Sequence, residues 1–365
     1  MWISQPPARS RSALLWGTGV FVAAQLALNL VIGRWHPEWS DPEYGYRFRK
    51  LKNWVKKEPD RPPLVVLGSS RIGHGFKADC LPPANWKGQE SPLVFNMSLA
   101  GGRPTHELLV LKRLLAAGIH PRWLVIEVLP PILNWEDGYL ASPDPIPANR
   151  LRWSDLEVLD RYAPQTRWSR KRKWLQTCLV PWYSNRFALL SQYAPSWLEP
   201  GKTVEVQFWR HSLTPKGWQP FPLTSVTHEQ YEKWFGVARH DYTQVLANFR
   251  VAAGADRLYR EMLAICRQEK IEVLGLLLMP EGTDFRNLYS GEACQTINAY
   301  LQGLCREFNI KLIDARTWMS DDLFSDSHHL LPGGAENFTR RLWQQALEPQ
   351  LQKQGELQSS EGFLE

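Results

Sequence analysis

Leu64-Val65-Val66-Leu67-Gly68-Ser69-Ser70-Arg71 is the stretch whose reading decides the fold. Apolar, mostly branched residues, preceded by Pro62-Pro63 and followed by a glycine, read as a buried parallel strand. The chain then turns at Gly68 and presents two serines and an arginine where a helix or loop begins. Ligands of open α/β sheets bind outside the carboxyl ends of the strands, which puts Ser69 and Ser70 where chemistry usually happens. A serine ahead of helical N–H groups has a built-in site for a developing anion. The plain alternative is an ordinary Ser-rich turn. Gly68–Gly73 is not a Walker or Rossmann glycine loop.

Outward from this strand, sheet and helix alternate. Leu93–Asn96 reads as a second strand, Glu107–Ala117 as a helix with Leu108, Leu111, Leu114 and Leu115 on one face, and Trp123–Leu129 as a third strand ending at Pro130-Pro131. The rhythm resumes with a helix over Val245–Lys270, a strand at Ile271–Met279, a helix at Gln295–Phe308, a strand at Ile310–Asp314 and a last helix at Gly334–Leu347. Strands alternating with helices imply a parallel sheet with helices on both faces.

Between the halves, residues 132–244 show no long apolar strand and carry nine of the 18 tryptophans. That is too much chain for one loop. It reads as a largely helical insertion over one edge or the mouth of the site, with helices at Ser154–Tyr162 and Ser169–Tyr193 and loops at Ser142–Asn149 and Pro215–Pro222. Its tryptophans suit either stacking on a glycan or an ordinary core. Arg167-Trp168-Ser169-Arg170-Lys171-Arg172-Lys173-Trp174 is the densest basic run. It reads as a solvated helix face or as a contact for anionic lipid headgroups. The net charge of +6 is mild and no recognition motif accompanies it, which argues against nucleic acid as a partner.

Ser12–Gly33 contains no charged residue, and its 22 residues span about 33 Å as a helix, enough to cross a bilayer core. Trp16 and Trp35 lie near its ends, and Val31-Ile32-Gly33-Arg34 offers no convincing cleavage site. The expectation is an uncleaved single-pass anchor, in preference to a signal peptide or a core helix. Arg9 and Arg11 favour a cytoplasmic N-terminus and an extracytoplasmic, periplasmic body, although Arg34, Arg47, Arg49 and Lys50 follow on the other side. Cys80, Cys178, Cys266, Cys294 and Cys305 show no CxxC spacing, so neither a zinc site nor a systematic set of bridges is implied, and one disulfide stays open for an extracytoplasmic domain. The expected organisation is an N-terminal segment and anchor (1–34), a juxtamembrane linker (35–61) with a helix at Tyr46–Lys57, an α/β domain (62–348) carrying the insertion (132–244), and a polar tail (349–365).

The remaining chemistry sits before the last helix, in Asp326-Ser327-His328-His329-Leu330. A hydroxyl nucleophile needs a base for its proton and a third group to fix the imidazole tautomer. An aspartate three residues from a histidine supplies both from one turn, in the chain order Ser…Asp…His. Together these blocks resemble the SGNH (GDSL-type) hydrolase superfamily, within it a membrane-anchored, cell-envelope subgroup. Gly68-Ser69-Ser70 resembles the first block, with Ser70 as nucleophile and Ser69 in place of the usual Asp. Asn96-Met97-Ser98-Leu99-Ala100-Gly101 resembles the second, whose glycine gives an oxyanion N–H, here Gly101 beside that of Ser70. Asp326–Leu330 resembles the last, Asp-x-x-His-Leu, with His329 as base, Asp326 as its orienter and His328 as the competing base. The resemblance implies a flavodoxin-like three-layer α/β/α fold with a five-stranded parallel sheet, and covers about Leu64–Leu129 and Val273–Leu347; the insertion matches nothing in it.

The third block departs from the family. Its oxyanion-donating Asn has no counterpart after Glu127, where Val128-Leu129-Pro130-Pro131 stands, and proline has no N–H to give. Replacement donors are Asn134, Arg71 or Arg286; otherwise the enzyme is slow, or hands its acyl group to an acceptor other than water. Arg71, Arg286, Glu281 and His328 are candidate substrate-binding residues. The plain readings are a helix cap for Arg71 and surface ion pairs for Arg286 and Glu281. Glu127 reads as a structural strand-end residue. His74, His106, His120 and His240 stand singly, so no metal and no cofactor are implied. The function implied is a membrane-anchored serine esterase or O-acyltransferase, with acetyl the commonest group, acting on an acylated cell-envelope glycan and able to draw on a membrane-bound acyl-donor protein. The alternative is a non-catalytic scaffold or binding protein of an envelope-polymer modification system.

Overall fold

The computed structural model describes residues 8–81, 91–142 and 145–353. Residues 82–90 of the loop expected at 79–92, residues 143–144, and the expected polar tail from 354 onward lie outside the described residues. Helix α1 (Ala8–Arg34) carries the apolar run, and Arg11–Arg34 within it is long and apolar enough to cross a membrane. Helix α2 (Pro42–Lys57) begins earlier than its expected start at Tyr46, because the Asp41 carboxylate accepts the Tyr44 N–H and caps the first turn. It buries Tyr44, Tyr46 and Leu51, so the stretch expected to be a linker is packed chain instead.

The first half of the sheet follows as β1 (Pro63–Leu67), α3 (Ser70–Gly75), β2 (Leu93–Asn96), α4 (Pro104–Ala116) and β3 (Trp123–Glu127). The third strand stops before the expected Leu129, and α5 (Pro130–Ala141) starts at once. Pro130 and Pro131 suit a first helical turn, where the missing N–H groups would have had no intrahelical partner. After α6 (Trp153–Tyr162), the single helix expected over Ser169–Tyr193 is three: α7 (Arg167–Leu179), α8 (Pro181–Ser184) and α9 (Arg186–Tyr193). Pro181 breaks the first junction, and Asn185 breaks the second by turning its side-chain amide onto the Pro181 carbonyl (3.0 Å). Next come α10 (Pro200–Ser212) and α11 (His228–Ala247), the latter started by a capping box between Thr227 and Gln230. The helix expected from Val245 thus divides into the end of α11 and a separate α12 (Ala253–Gln268). The chain finishes with β4 (Glu272–Leu278), α13 (Thr283–Asn287), α14 (Glu292–Phe308), β5 (Leu312–Asp314) and α15 (Pro332–Leu342).

Two compact units result. One takes the chain up to Tyr46 together with Ala141–His211; the other takes Arg47–Leu140 and the chain from Ser212 onward. Residues 132–140 and 212–244 of the expected insertion therefore belong with the sheet. All five cysteines are free, so the disulfide left open by the sequence is not made.

The sheet is parallel throughout, in the order β2-β1-β3-β4-β5. Leu64 lies opposite Val94 on one side and Trp123 on the other. Between β3 and β4 the register slips, Leu124 pairing with Val273 and Val125 with Gly275, so that Leu274 is the extra residue of a bulge. Leu64, Val66, Val125 and Leu277 pack on one face with Phe338 and Leu342 of α15, whereas α12 packs on β4 and on α4. The edge of β2 is protected at its end, where the Asn96 N–H donates to the Lys216 carbonyl (2.9 Å). Strand order reverses between β1 and β3, and a crevice forms at the carboxyl ends of strands at such a point. Ser70 follows the first of these strands and Glu127 ends the other.

Close backbone packing at these strand ends is testable. A Cβ on Gly102 would lie 2.5 Å from the Gly68 carbonyl oxygen and 2.7 Å from that of Leu99, whereas one on Gly303 meets nothing within 4 Å. In urea unfolding, Gly102→Ala is expected to lose about 1–3 kcal/mol. Gly303→Ala, inside α14, is expected to gain about 0.5–1 kcal/mol. Equal effects would contradict the packing described.

Candidate functional site

The turn after β1 divides its two serines by task. Ser69 is the N-cap of α3: its hydroxyl accepts the Arg71 N–H (3.1 Å) and its own N–H donates to Glu127 Oε2 (2.6 Å). Ser70 is left as the first residue of the helix with its hydroxyl turned outward from these bonds. Gly68 makes this possible, since a Cβ there would lie 2.5 Å from Glu127 Oε2.

Ser70 Oγ lies 2.8 Å from His329 Nε2, and His329 Nδ1 lies 2.7 Å from Asp326 Oδ2. With Nδ1–H donating to the carboxylate, Nε2 keeps the lone pair that accepts the Ser70 proton; the tautomer follows from this network. The other carboxylate oxygen, Oδ1, accepts the backbone N–H of His329 (2.8 Å) and of His328 (3.2 Å). One side chain thereby fixes both the imidazole and the loop that bears it. Burial alone would raise the Asp326 pKa, but the charges and hydrogen bonds of the two histidines outweigh it and hold the carboxyl far below the usual range.

The loop is shaped from both sides. Phe324 and Leu330 form an antiparallel bridge, and Ser325 N–H donates to the His329 carbonyl (2.9 Å). Ser327 adopts a left-handed φ of 69°, its hydroxyl accepting the Phe285 N–H (2.9 Å) and its carbonyl accepting that of Gly282 (2.7 Å). Gly282 is required at that contact, because a Cβ would come 2.5 Å from Ser327 Oγ.

The imidazole bonded to Ser70 is that of His329, while His328 has other neighbours. It stacks on Phe285 (centroids 4.9 Å apart, planes 22° apart) and meets Tyr242 edge-on at 6.0 Å. Burial, reinforced by the nearby His329 charge, pushes its pKa down to about 3. His74 stands on the other side, its ring 5.7 Å from that of His329 and its Nδ1 2.9 Å from the Gln219 carbonyl. Burial and His329 lower it to about 4. Asp326, His328 and His329 also offer ligand atoms within 4.8 Å of one another. His329 Nδ1, however, is already bonded to the Asp326 carboxylate and His328 Nδ1 to the Asp326 carbonyl (3.3 Å), so a cation taking that carboxylate would compete with the bond that orients His329.

The second loop is held against the first. Met97 N–H donates to Val66 O and Leu99 N–H to Gly68 O, each at 2.9 Å, while the Asn96 amide bonds the Ile72 and Phe76 carbonyls. Gly101 has a left-handed φ of 66°, next to the Gly102–Gly68 contact.

The other sequence candidates are engaged elsewhere. Arg71 is fully buried and points beneath the site, donating to Glu281 Oε1 (3.2 Å) and to the carbonyls of Met279 (3.1 Å) and Pro280 (2.9 Å), with Glu127 at 3.9 Å. Glu281 is buried with it and also accepts the Tyr289 hydroxyl, so neither it nor Arg71 is presented to a substrate. Arg286 donates to the carbonyls of Glu281 and Arg316, and the Asn134 amide to the Val245 carbonyl. Each of these bonds engages a group proposed to replace the missing oxyanion donor. Conversely, Tyr242, Phe285, Gln219 and Phe221 line the histidines, and sequence reasoning missed them. Tyr242, Gln219 and Phe221 come from the insertion, and an aromatic at helical spacing reads simply as core.

Compared with known proteins, the chain matches no family model and no curated protein sequence.

The buried His328 and the half-buried His74 predict how stability depends on pH. Unfolded, each takes a proton as the pH falls through about 6.5; folded, His74 waits until about 4 and His328 until about 3. Their stabilisation is complete above 6.5 and is lost as the pH falls toward those values, by up to about 1.4 kcal/mol per pH unit for each ring. Urea unfolding between pH 7 and 5 is expected to show this loss, with a shallower slope in His74→Gln. An unchanged slope in that variant would contradict it.

Proposed function

We propose that the chain is a single-pass, membrane-anchored serine esterase or O-acyltransferase of the SGNH type, its sheet arranged as in flavodoxin-like folds and its body outside the cytoplasm. The observation that carries this reading is the hydrogen-bonded line from Ser70 through His329 to Asp326. Ser70 Oγ attacks the ester carbonyl while His329 Nε2 takes its proton. The tetrahedral oxyanion is met by the N–H groups of Ser70 and Gly101. As it collapses, the imidazolium returns the proton to the leaving alcohol, and an acyl group remains on Ser70. Water or a sugar hydroxyl then attacks the acyl carbonyl as its proton passes to His329, and His329 returns that proton to Ser70 Oγ as the acyl group leaves. Asp326 stays ionised throughout, which suits a carboxylate held so far below its usual pKa.

The substrate we assign is an acylated envelope glycan, acetyl being the simplest group, with a membrane-bound acyl donor as a further partner. Asn134, Arg71 and Arg286 are tied to other groups, so the oxyanion is left with backbone donors; loss of one donor lowers rates by about 10²–10³. The same fact favours the second reading, a scaffold that keeps the shape without the reaction.

A fluorophosphonate probe separates the two. Labelling of the full chain that disappears in Ser70→Ala, with p-nitrophenyl acetate hydrolysis reduced by roughly 10⁴ in Asp326→Asn, is the expected outcome. No labelling and no hydrolysis in the unaltered chain would leave the scaffold reading.

A further inference from the structure

The unit built from the N-terminal segment and Ala141–His211 buries part of the apolar run of α1 against its own helices. Helix α1 packs on α7 and α8, and Ile32 shares a small core with Trp39, Ala188 and Leu189, on which Leu28 and Val31 also pack. Asn29, a polar residue within that run, hydrogen-bonds Cys178 near the end of α7. Asn29 lies roughly 7–8 Å along the axis before Arg34. If α1 crosses a bilayer, the end of α7 therefore sits at the depth of the acyl–headgroup boundary, where interfacial helices lie, about 5–10 Å in.

The surface at that depth is apolar and uncovered. Leu175, Leu179, Val180 and Trp182 are exposed, and Tyr183 is 63% exposed. Arg186 lies over the rings of Tyr183 and Phe187, at 4.1 and 4.3 Å. The basic half of α7 is not the uniformly solvated face of the plain reading. Arg170 is buried and pairs with Asp160 (2.7 Å), Lys171 shares the same carboxylate, and Arg167 lies over the exposed ring of Trp168. Exposed Arg167 and Arg172 thus adjoin an apolar surface continuous with a membrane-length helix.

We propose that Leu175–Phe187 lies in the membrane interface as a second, in-plane contact beside α1, with Arg167 and Arg172 against anionic phospholipid headgroups. This rests on the anchored reading of α1. Basic residues near an anionic leaflet are attracted to it, and aromatic rings with a polar edge favour the interface. The contact fixes the unit at the bilayer surface instead of leaving it on a tether.

The full chain, reconstituted in phosphatidylcholine vesicles with and without phosphatidylglycerol, tests this by photocrosslinking. p-Benzoylphenylalanine replaces Val20 in α1, or Leu179, or Trp182, and lipid adducts are read by mass. Adducts at Leu179 and Trp182 within about threefold of the Val20 yield support the proposal. Adducts at Val20 but none above the unilluminated background at the other two overturn it while the anchor stands. None at Val20 overturns both. With phosphatidylglycerol, Arg167→Glu plus Arg172→Glu is expected to lower the Trp182 yield by about twofold or more; no change would overturn the headgroup contact.

Discussion

The buried guanidinium of Arg71 holds together the ends of the strands on which the site stands. It follows β1 by a few residues, reaches the Met279 and Pro280 carbonyls just beyond β4, and lies between the carboxylates of Glu281 and Glu127, the latter ending β3. Burial pushes both carboxyls above their usual range, and the Arg71 charge offsets only part of that rise. A buried charge cluster is a poor source of net stability, because desolvation offsets much of the attraction. What it provides here is position. Removing one partner of such a cluster typically costs about 3–5 kcal/mol, so the strand ends stay in one arrangement.

From that fixed base the two loops acquire their geometry. Glu127 holds the Ser69 N–H, Ser69 caps α3, and Ser70 is set at the helix start. Gly282, two residues beyond Pro280, binds the Ser327 carbonyl and so links the same base to the loop bearing Asp326 and His329. The site is thus determined from beneath by groups that never reach the reacting atoms. In the proposed reaction this rigidity matters more than usual, because the oxyanion has only backbone donors to meet it.

Much of this arrangement was legible in the sequence, for physical reasons. β1 is an apolar run closed by a glycine, and a parallel strand must be apolar on both faces. The pairing of Asp326 with His329 is a matter of local spacing, and one turn can satisfy it. What was illegible depends on distant packing. Arg71 had equal claims as cap and as site residue, since only the strand ends decide which carbonyls it meets. Asn134 and Arg286 looked like free donors because their acceptors, Val245 O and Arg316 O, lie far along the chain. Tyr242 and Phe221 lay in a stretch with no strand to fix its place. The one helix expected over Ser169–Tyr193 is broken at Pro181 and Asn185, because a good periodic pattern conceals a local stop.

The central claim is that Ser70, activated by His329, carries the acyl group. Peptide mass spectrometry after brief incubation of the full chain with an acetyl ester measures this directly. An acetyl group on Ser70, absent in His329→Ala, is the predicted result; a Ser70 peptide that stays unmodified while the ester is consumed would contradict it.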